Sequence, residues 1–138
     1  MAGIVRAHAE VLERLVAEAR GSPGVECCGL LAGREGVITA VFPARNALAS
    51  PCSFQIAPEE LFGLFRQMRA AGLEHLGIYH SHPAGDHAPS ARDIERAYYP
   101  EAAYFIVAPV ECAGKPVRAF SIRDARVTEL KIEVAPPA

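Results

Sequence analysis

The amino-acid sequence predicts an α/β domain built on a mixed β-sheet, and three observations lead to this fold class. The 138 residues are 51% hydrophobic and 22% charged, which supports a hydrophobic core and excludes a disordered chain. Short apolar runs typical of strands alternate with segments whose apolar residues follow helical spacing. No repeat, low-complexity stretch or linker divides the sequence, so residues 1–138 are expected to form a single domain with a frayed tail over 135–138.

The first half of the chain is expected to contain two helices and up to three strands. A helix is predicted over 7–20, because apolar residues recur at helical spacing and a Gly-Ser-Pro-Gly stop follows. Residues 26–32 and 37–43 are apolar runs joined by a glycine-containing turn, which indicates a strand pair. A short strand is expected over 54–56. A second helix is expected over 58–71, since proline is favoured at a first helical position and Gly72 follows.

The second half of the chain continues the alternation. A strand is predicted over 75–82, a Pro/Gly-rich loop over 83–89, and a short helix opened by Ser90 and running to about Ala97. Three further strands are predicted over 103–108, 117–122 and 126–134. The resulting order α-β-β-α-β-α-β-β-β indicates helices packed around one mixed sheet.

Composition also excludes several function classes. The net charge is −2 and no basic patch accumulates, which argues against a nucleic-acid partner. No apolar run is long enough to span a bilayer, and no signal peptide is recognised. The protein is therefore expected to lie in the cytoplasm and not to associate with a membrane. The four cysteines, at positions 27, 28, 52 and 112, form no C-x-x-C pair and are expected to be free thiols.

The residues that most strongly indicate a functional site begin at His80 and end at Asp93. Residues two apart on a strand share a face, so His80 and His82 can point at one ion. Ten residues then separate His82 from Asp93, enough for a loop to return Asp93 to the same point. Two imidazoles and one carboxylate suit Zn²⁺ with one coordination position open to water, which is the arrangement of catalytic sites.

Two alternatives stand beside this metal-site hypothesis. Ser90-Ala91-Arg92-Asp93 fits a capping box, so Ser90 and Asp93 could serve only to start a helix. Asp86 and His87 lie in the intervening loop and are rival ligands, although exposed polar residues are common in such loops.

Glu26 is the candidate general base. A charged residue at the start of the apolar run Cys-Cys-Gly-Leu-Leu-Ala-Gly requires a reason, and activation of a water molecule needs a nearby proton acceptor. The alternative is that Glu26 is a solvated strand end.

Together these residues resemble the JAMM motif of the MPN-plus zinc peptidases, E…H-[ST]-H-P…S-x-x-D. Glu26 precedes the apolar run, His80-Ser81-His82-Pro83 follows, and seven residues separate His82 from Ser90. The segment Phe-Gln-Ile-Ala-Pro-Glu-Glu-Leu at 54–61 resembles another part of the family, and the likeness extends over about 4–134. The resemblance implies an MPN fold, a sheet sandwiched by helices and similar to the cytidine-deaminase architecture.

The resemblance also implies a role for each motif residue. His80, His82 and Asp93 would hold one zinc ion with a bound water. Glu26 would deprotonate that water and later protonate the leaving amine. Ser90 would donate a hydrogen bond to the oxyanion of the tetrahedral intermediate.

The family cleaves peptide or isopeptide bonds after the C-terminal glycine of ubiquitin-like proteins. Compact prokaryotic members process ubiquitin-like sulfur carriers, for instance by releasing carrier-bound cysteine, and this chain resembles them because it has no long insertions. The expected partner is therefore the C-terminal tail of a ubiquitin-like protein, with a monomer or homodimer equally open. A lysine-isopeptide deconjugase is the alternative substrate assignment.

Two functions from other classes are disfavoured. A non-catalytic MPN interaction scaffold typically loses the zinc ligands, which are all retained here. A zinc nucleoside deaminase would carry H-x-E and P-C-x-x-C, and both are missing.

Overall fold

The computed structural model describes residues 3–83, 88–108 and 115–136 and confirms the α/β class. The elements along the chain are β1 (Ile4–His8), α1 (Ala9–Arg20), β2 (Cys28–Arg34), β3 (Val37–Ala44), α2 (Pro58–Ala70), β4 (Glu74–Ser81), α3 (Ala91–Glu95), β5 (Ala103–Val107), β6 (Val117–Arg123) and β7 (Arg126–Ala135). The described strands form one mixed sheet in the order β1-β3-β2-β4-β5-β6-β7, which closes because β1 also pairs with β7.

Helices cover both faces of this sheet. Helix α1 packs its buried residues Val11, Leu15 and Ala19 on one face, in a core that includes Tyr79 and Phe105. Helix α2 packs on the opposite face in a second core, which is built from Leu30, Leu64, Met68, Ile78, Ile106 and their neighbours. The sandwich predicted by the alternating pattern is therefore confirmed, and β4 contributes residues to both cores.

The N-terminal strand β1 was not predicted. Residues 7 and 8 belong to it, so α1 begins at Ala9 and not at residue 7. Strand β1 forms a parallel ladder with β7 that runs from Ile4 opposite Lys131 to His8 opposite Ala135. Because this partner lies more than a hundred residues away, local periodicity carries no signal for the pairing. The same ladder holds Ala135 in β7, although it was expected to begin the frayed tail.

A glycine on β2 permits a close approach to β4. A Cβ atom at Gly29 would lie 2.5 Å from the Phe42 carbonyl oxygen and 2.6 Å from the Tyr79 hydroxyl. The buried Tyr79 hydroxyl passes over this position and donates a 2.6 Å hydrogen bond to Glu18 of α1. Because residue 29 is glycine, this hydrogen bond can connect α1 to β4, the strand that carries His80.

Strand register brings two distant motifs to one end of the sheet. Strands β2 and β4 are antiparallel, with Cys28 opposite His80, so the start of β2 meets the end of β4. Glu26, just before β2, therefore lies near the His80-Ser81-His82 segment.

Two further expectations can be compared with the described residues. The thiols of Cys27, Cys28 and Cys52 are free as predicted, whereas Cys112 lies outside the described residues. Within the described ranges, no helix is long and apolar enough to cross a membrane.

Candidate metal centre

Three side-chain atoms, from residues around the end of β4 and from α3, lie close together. The Nε2 atoms of His80 and His82 are 3.0 Å apart. The Oδ2 atom of Asp93, on α3, lies 3.2 Å from each of them. The three side chains predicted as ligands are thus brought together as a near-equilateral triangle.

Hydrogen bonds among these three atoms cannot satisfy all of them at once. If Asp93 accepted hydrogen bonds from both imidazoles, both Nε2 atoms would carry protons, and these protons would face each other across 3.0 Å. A cation among the three atoms would use a lone pair from each. Ligand atoms around a tetrahedral zinc, at its usual bond lengths, lie about 3.3 Å apart. The donor set and its spacing therefore fit a zinc ion.

The ionisation states of the triangle also suit a cation. Burial lowers the pKa of His80, which is 2% exposed, so its neutral, metal-binding imidazole is favoured. Burial of Asp93 works to raise its pKa, but hydrogen bonds from His80 and His82 outweigh that effect and hold the pKa below its usual value. Asp93 is therefore a carboxylate at neutral pH.

Glu26 lies beside the triangle without belonging to it. Ligand atoms of Glu26, His80 and His82 all lie within 4.8 Å of one another, which makes these residues a possible metal-binding group. The Glu26 side chain is 3% exposed, and its Oε1 atom has no hydrogen-bond partner among the described residues. Burial raises the pKa of Glu26 to about 7, a value suited to taking up and releasing a proton. The alternative that Glu26 is only a solvated strand end does not agree with this burial.

Ser90 and Asp93 form the capping box at the start of α3. The Asp93 N–H donates to Ser90 Oγ at 3.1 Å, and the Ser90 N–H donates to Asp93 Oδ2 at 2.8 Å. The capping and metal-site hypotheses are therefore compatible, because the oxygen that caps the helix is the one facing the histidines. The Ser90 hydroxyl accepts in this pair, so its own proton is available to another acceptor. The rival ligands Asp86 and His87 lie outside the described residues.

Sequence reasoning missed several residues that position the centre. Ser81, between the two histidines, accepts the Cys27 N–H at its Oγ and donates its own N–H to the Cys27 carbonyl, both at 2.9 Å. Phe54 stacks on the His80 ring with centroids 4.7 Å apart. Strand alternation places Ser81 on the side of β4 opposite to the histidines, and its partner Cys27 is too distant in sequence for a local pattern to indicate.

Asn46 is the central positioning residue. Its buried Nδ2 donates to the carbonyls of Glu26 at 3.0 Å and Ser53 at 2.9 Å. Its Oδ1 accepts the N–H groups of Leu48 and Gln55. One amide therefore joins the backbone of the candidate base to the segment whose Phe54 packs on His80. These hydrogen bonds also replace the strand that was predicted over 54–56, where the structure has none.

We expect Asn46→Asp to lower the free energy of unfolding by about 3 kcal/mol, because two buried carbonyls lose their donor and face a carboxylate. Urea denaturation measures this loss. Gln67→Glu, the same amide-to-acid change on the exposed side of α2, is the matched control and is expected to have little effect. Equal stabilities of the two variants would contradict the positioning role of Asn46.

A cleft leads away from the triangle. It has a volume of about 330 Å³ and starts at His80 and Asp93. One wall is the segment 53–56, and the other is formed by α3 and the residues after it, up to Tyr99.

Comparison with known sequences identifies similar proteins. A family profile described as prokaryotic homologs of the JAB domain matches residues 8–123. The chain is 34% identical over 129 residues to the CysO-cysteine peptidase of Mycobacterium tuberculosis, covering 92% of this chain and 88% of that protein. It is 40% identical over 94 residues to the desampylase of Haloferax volcanii, covering 66% of this chain and 68% of that protein.

Solved structures agree with the fold. A solution structure of a protein from Desulfitobacterium hafniense superposes with a TM-score of 0.84 at 34% identity, over 96% of this chain and 94% of that one. A crystal structure of a JAB1/MPN domain protein from Archaeoglobus fulgidus superposes with a TM-score of 0.62 at 18% identity, over 95% and 99% of the two chains. The second likeness concerns the fold alone.

Proposed function

This chain belongs to the family of prokaryotic JAB-domain proteins, and from this membership and the geometry of the centre we propose that it is a zinc metallopeptidase. Its proposed substrate is a ubiquitin-like protein, cleaved after the C-terminal glycine. The observation that carries the proposal is the triangle of His80, His82 and Asp93 with the buried Glu26 beside it.

In the proposed mechanism, His80, His82 and Asp93 would hold the metal. A zinc ion bound there would supply a Lewis acid that polarises the scissile carbonyl and acidifies water. Glu26 takes a proton from the attacking water, since it lies beside the two histidines and its buried Oε1 has no hydrogen-bond partner among the described residues. Glu26 then gives this proton to the leaving amine. Ser90 donates its free hydroxyl proton to the oxyanion.

We expect the substrate tail to lie in the cleft alongside the segment 53–57. The Gln55 N–H donates to Asn46 Oδ1 and the Gln55 carbonyl accepts the Ala47 N–H, so its backbone groups point away from the cleft. Successive residues of an extended chain direct their backbone groups to opposite sides, so those of Phe54 and Ile56 point toward the cleft. These groups have no partner among the described residues. A peptide tail can pair with them as an added strand.

The names of the relatives support two related substrates. The CysO-cysteine peptidase supports a carrier that ends in an added cysteine, which is the substrate we favour because that relative covers most of this chain. The desampylase supports removal of a ubiquitin-like protein from a conjugate, and this is the second candidate. Both reactions break an amide bond after a C-terminal glycine, so one site can serve either.

Intact-mass analysis tests the proposal. A ubiquitin-like sulfur carrier extended past its C-terminal glycine by cysteine is incubated with zinc-loaded protein, in parallel with the same carrier linked to a lysine side chain. Loss of only the cysteine supports carrier processing, and release from lysine supports the second candidate. If neither mass changes while zinc is bound, the proposed substrate class is wrong.

We expect Ser90→Ala to lower kcat by about 100-fold or more, because one oxyanion donor is lost. Removal of the cap also costs about 1 kcal/mol of stability. Ser90→Thr retains both the hydroxyl and the cap and is the matched control. The initial rates of the three proteins, each checked for folding by circular dichroism, measure the effect. Normal turnover by Ser90→Ala would limit Ser90 to helix capping.

A further inference from the structure

Two arginines, one on α3 and one directly after it, line the cleft without a partner. Arg92 lies on α3, and Arg96 caps its C-terminus, where the Arg96 N–H donates to the Arg92 carbonyl at 3.0 Å. Both side chains are exposed and line the cleft that begins at His80. Neither guanidinium forms an ion pair or hydrogen bond with any residue that the structure describes. The cleft therefore carries two unpaired positive charges beside the candidate metal centre.

The two positive charges lie close together. Like charges four residues apart repel each other on a helix. An anion bound between them in the cleft relieves this repulsion.

The spacing of the pair matches an extended peptide. Residues four apart on a helix are separated along the axis by about 6 Å. Side chains on one face of an extended chain repeat every two residues, or about 6.6 Å. A tail lying between α3 and the segment 53–57 can therefore present two alternate side chains to Arg92 and Arg96.

We propose that Arg92 and Arg96 select substrates whose tail carries acidic side chains at two alternate positions upstream of the scissile glycine. This inference rests on the proposed function, because it places the tail in the same cleft. The ligand class is a carboxylate-bearing peptide segment, to which planar guanidinium groups bind in a bidentate manner. Phe54, Ile56 and Tyr98, which also line the cleft, keep water from part of each contact and strengthen it. Tails with lysine or arginine at the same positions are repelled.

Peptide binding to the folded, zinc-loaded Glu26→Gln protein tests the inference without turnover. Fluorescently labelled tails ending in glycine carry either glutamate or glutamine at the two alternate positions, and anisotropy gives their Kd values. We expect the glutamate tail to bind about tenfold more tightly at low salt, with the preference decreasing as salt is added. In this background Arg92→Gln and Arg96→Gln each reduce the preference about threefold. Arg69→Gln, an exposed arginine of α2 outside the cleft, leaves it unchanged.

A charge reversal separates binding from general effects on the fold. The double variant Arg92→Glu, Arg96→Glu is expected to bind a lysine tail more tightly than the glutamate tail. Equal Kd values of all tails for the parent protein, or the same preference in the reversed variant, would overturn the inference. If acidic tails bind selectively but no carrier is hydrolysed by the wild-type protein, the proposed function fails while the selectivity stands.

Discussion

Glu26→Gln is expected to reduce hydrolysis by about three orders of magnitude while leaving the metal bound. The amide has the shape of the carboxylate but accepts no proton near neutral pH, so both proton transfers lose their carrier. Metal binding persists because the tight triangle consists of His80, His82 and Asp93, and Glu26 lies outside it. Intact-mass time courses and the metal content of the purified variant measure the two effects together.

The control is Glu59→Gln, the same substitution on the exposed first turn of α2, which should behave as wild type. Loss of metal from Glu26→Gln would make Glu26 a ligand and refute its role as a base. Metal retention with undiminished hydrolysis would place the base elsewhere.

Asp93→Asn is expected to weaken zinc binding by about 100-fold or more. The neutral amide is a poor zinc ligand, and loss of a direct ligand should cost at least as much as loss of an outer-shell partner. The substitution is chosen because the asparagine oxygen can still accept the Ser90 N–H, so the capping of α3 is preserved. Titration against a chelator of known affinity measures the zinc Kd.

Glu95→Gln removes the same charge from the exposed side of α3 and serves as the control. Thermal unfolding in EDTA, where no metal contributes, shows whether α3 remains capped in both variants. Wild-type zinc affinity in Asp93→Asn would reduce Asp93 to a helix cap and require another third ligand.

Much of the fold could be predicted because its elements carry local signals. Apolar spacing and the proline at position 58 identified α2 to within a residue, and the turn residues between β2 and β3 identified that hairpin. The strand β1 and the segment 54–56 could not be predicted in the same way. The first is stabilised by a ladder with β7, and the second by the side chain of Asn46. The partner of β1 is distant in sequence, and the partner of the segment 54–56 is a side chain. Local spacing of apolar residues indicates neither of them.

By itself, the sequence predicted the candidate centre. The side-chain types and spacing of His80, His82 and Asp93 predict a metal-binding set, because strand alternation and a capped helix start are local properties. Only the tertiary structure decided what surrounds that set. The register of β2 against β4 brings Glu26 to the histidines, and burial there raises its pKa. The position of α3 beside the cleft places Arg92 and Arg96 along the cleft wall. Register and desolvation arise from contacts between distant segments, and therefore no local pattern encodes them.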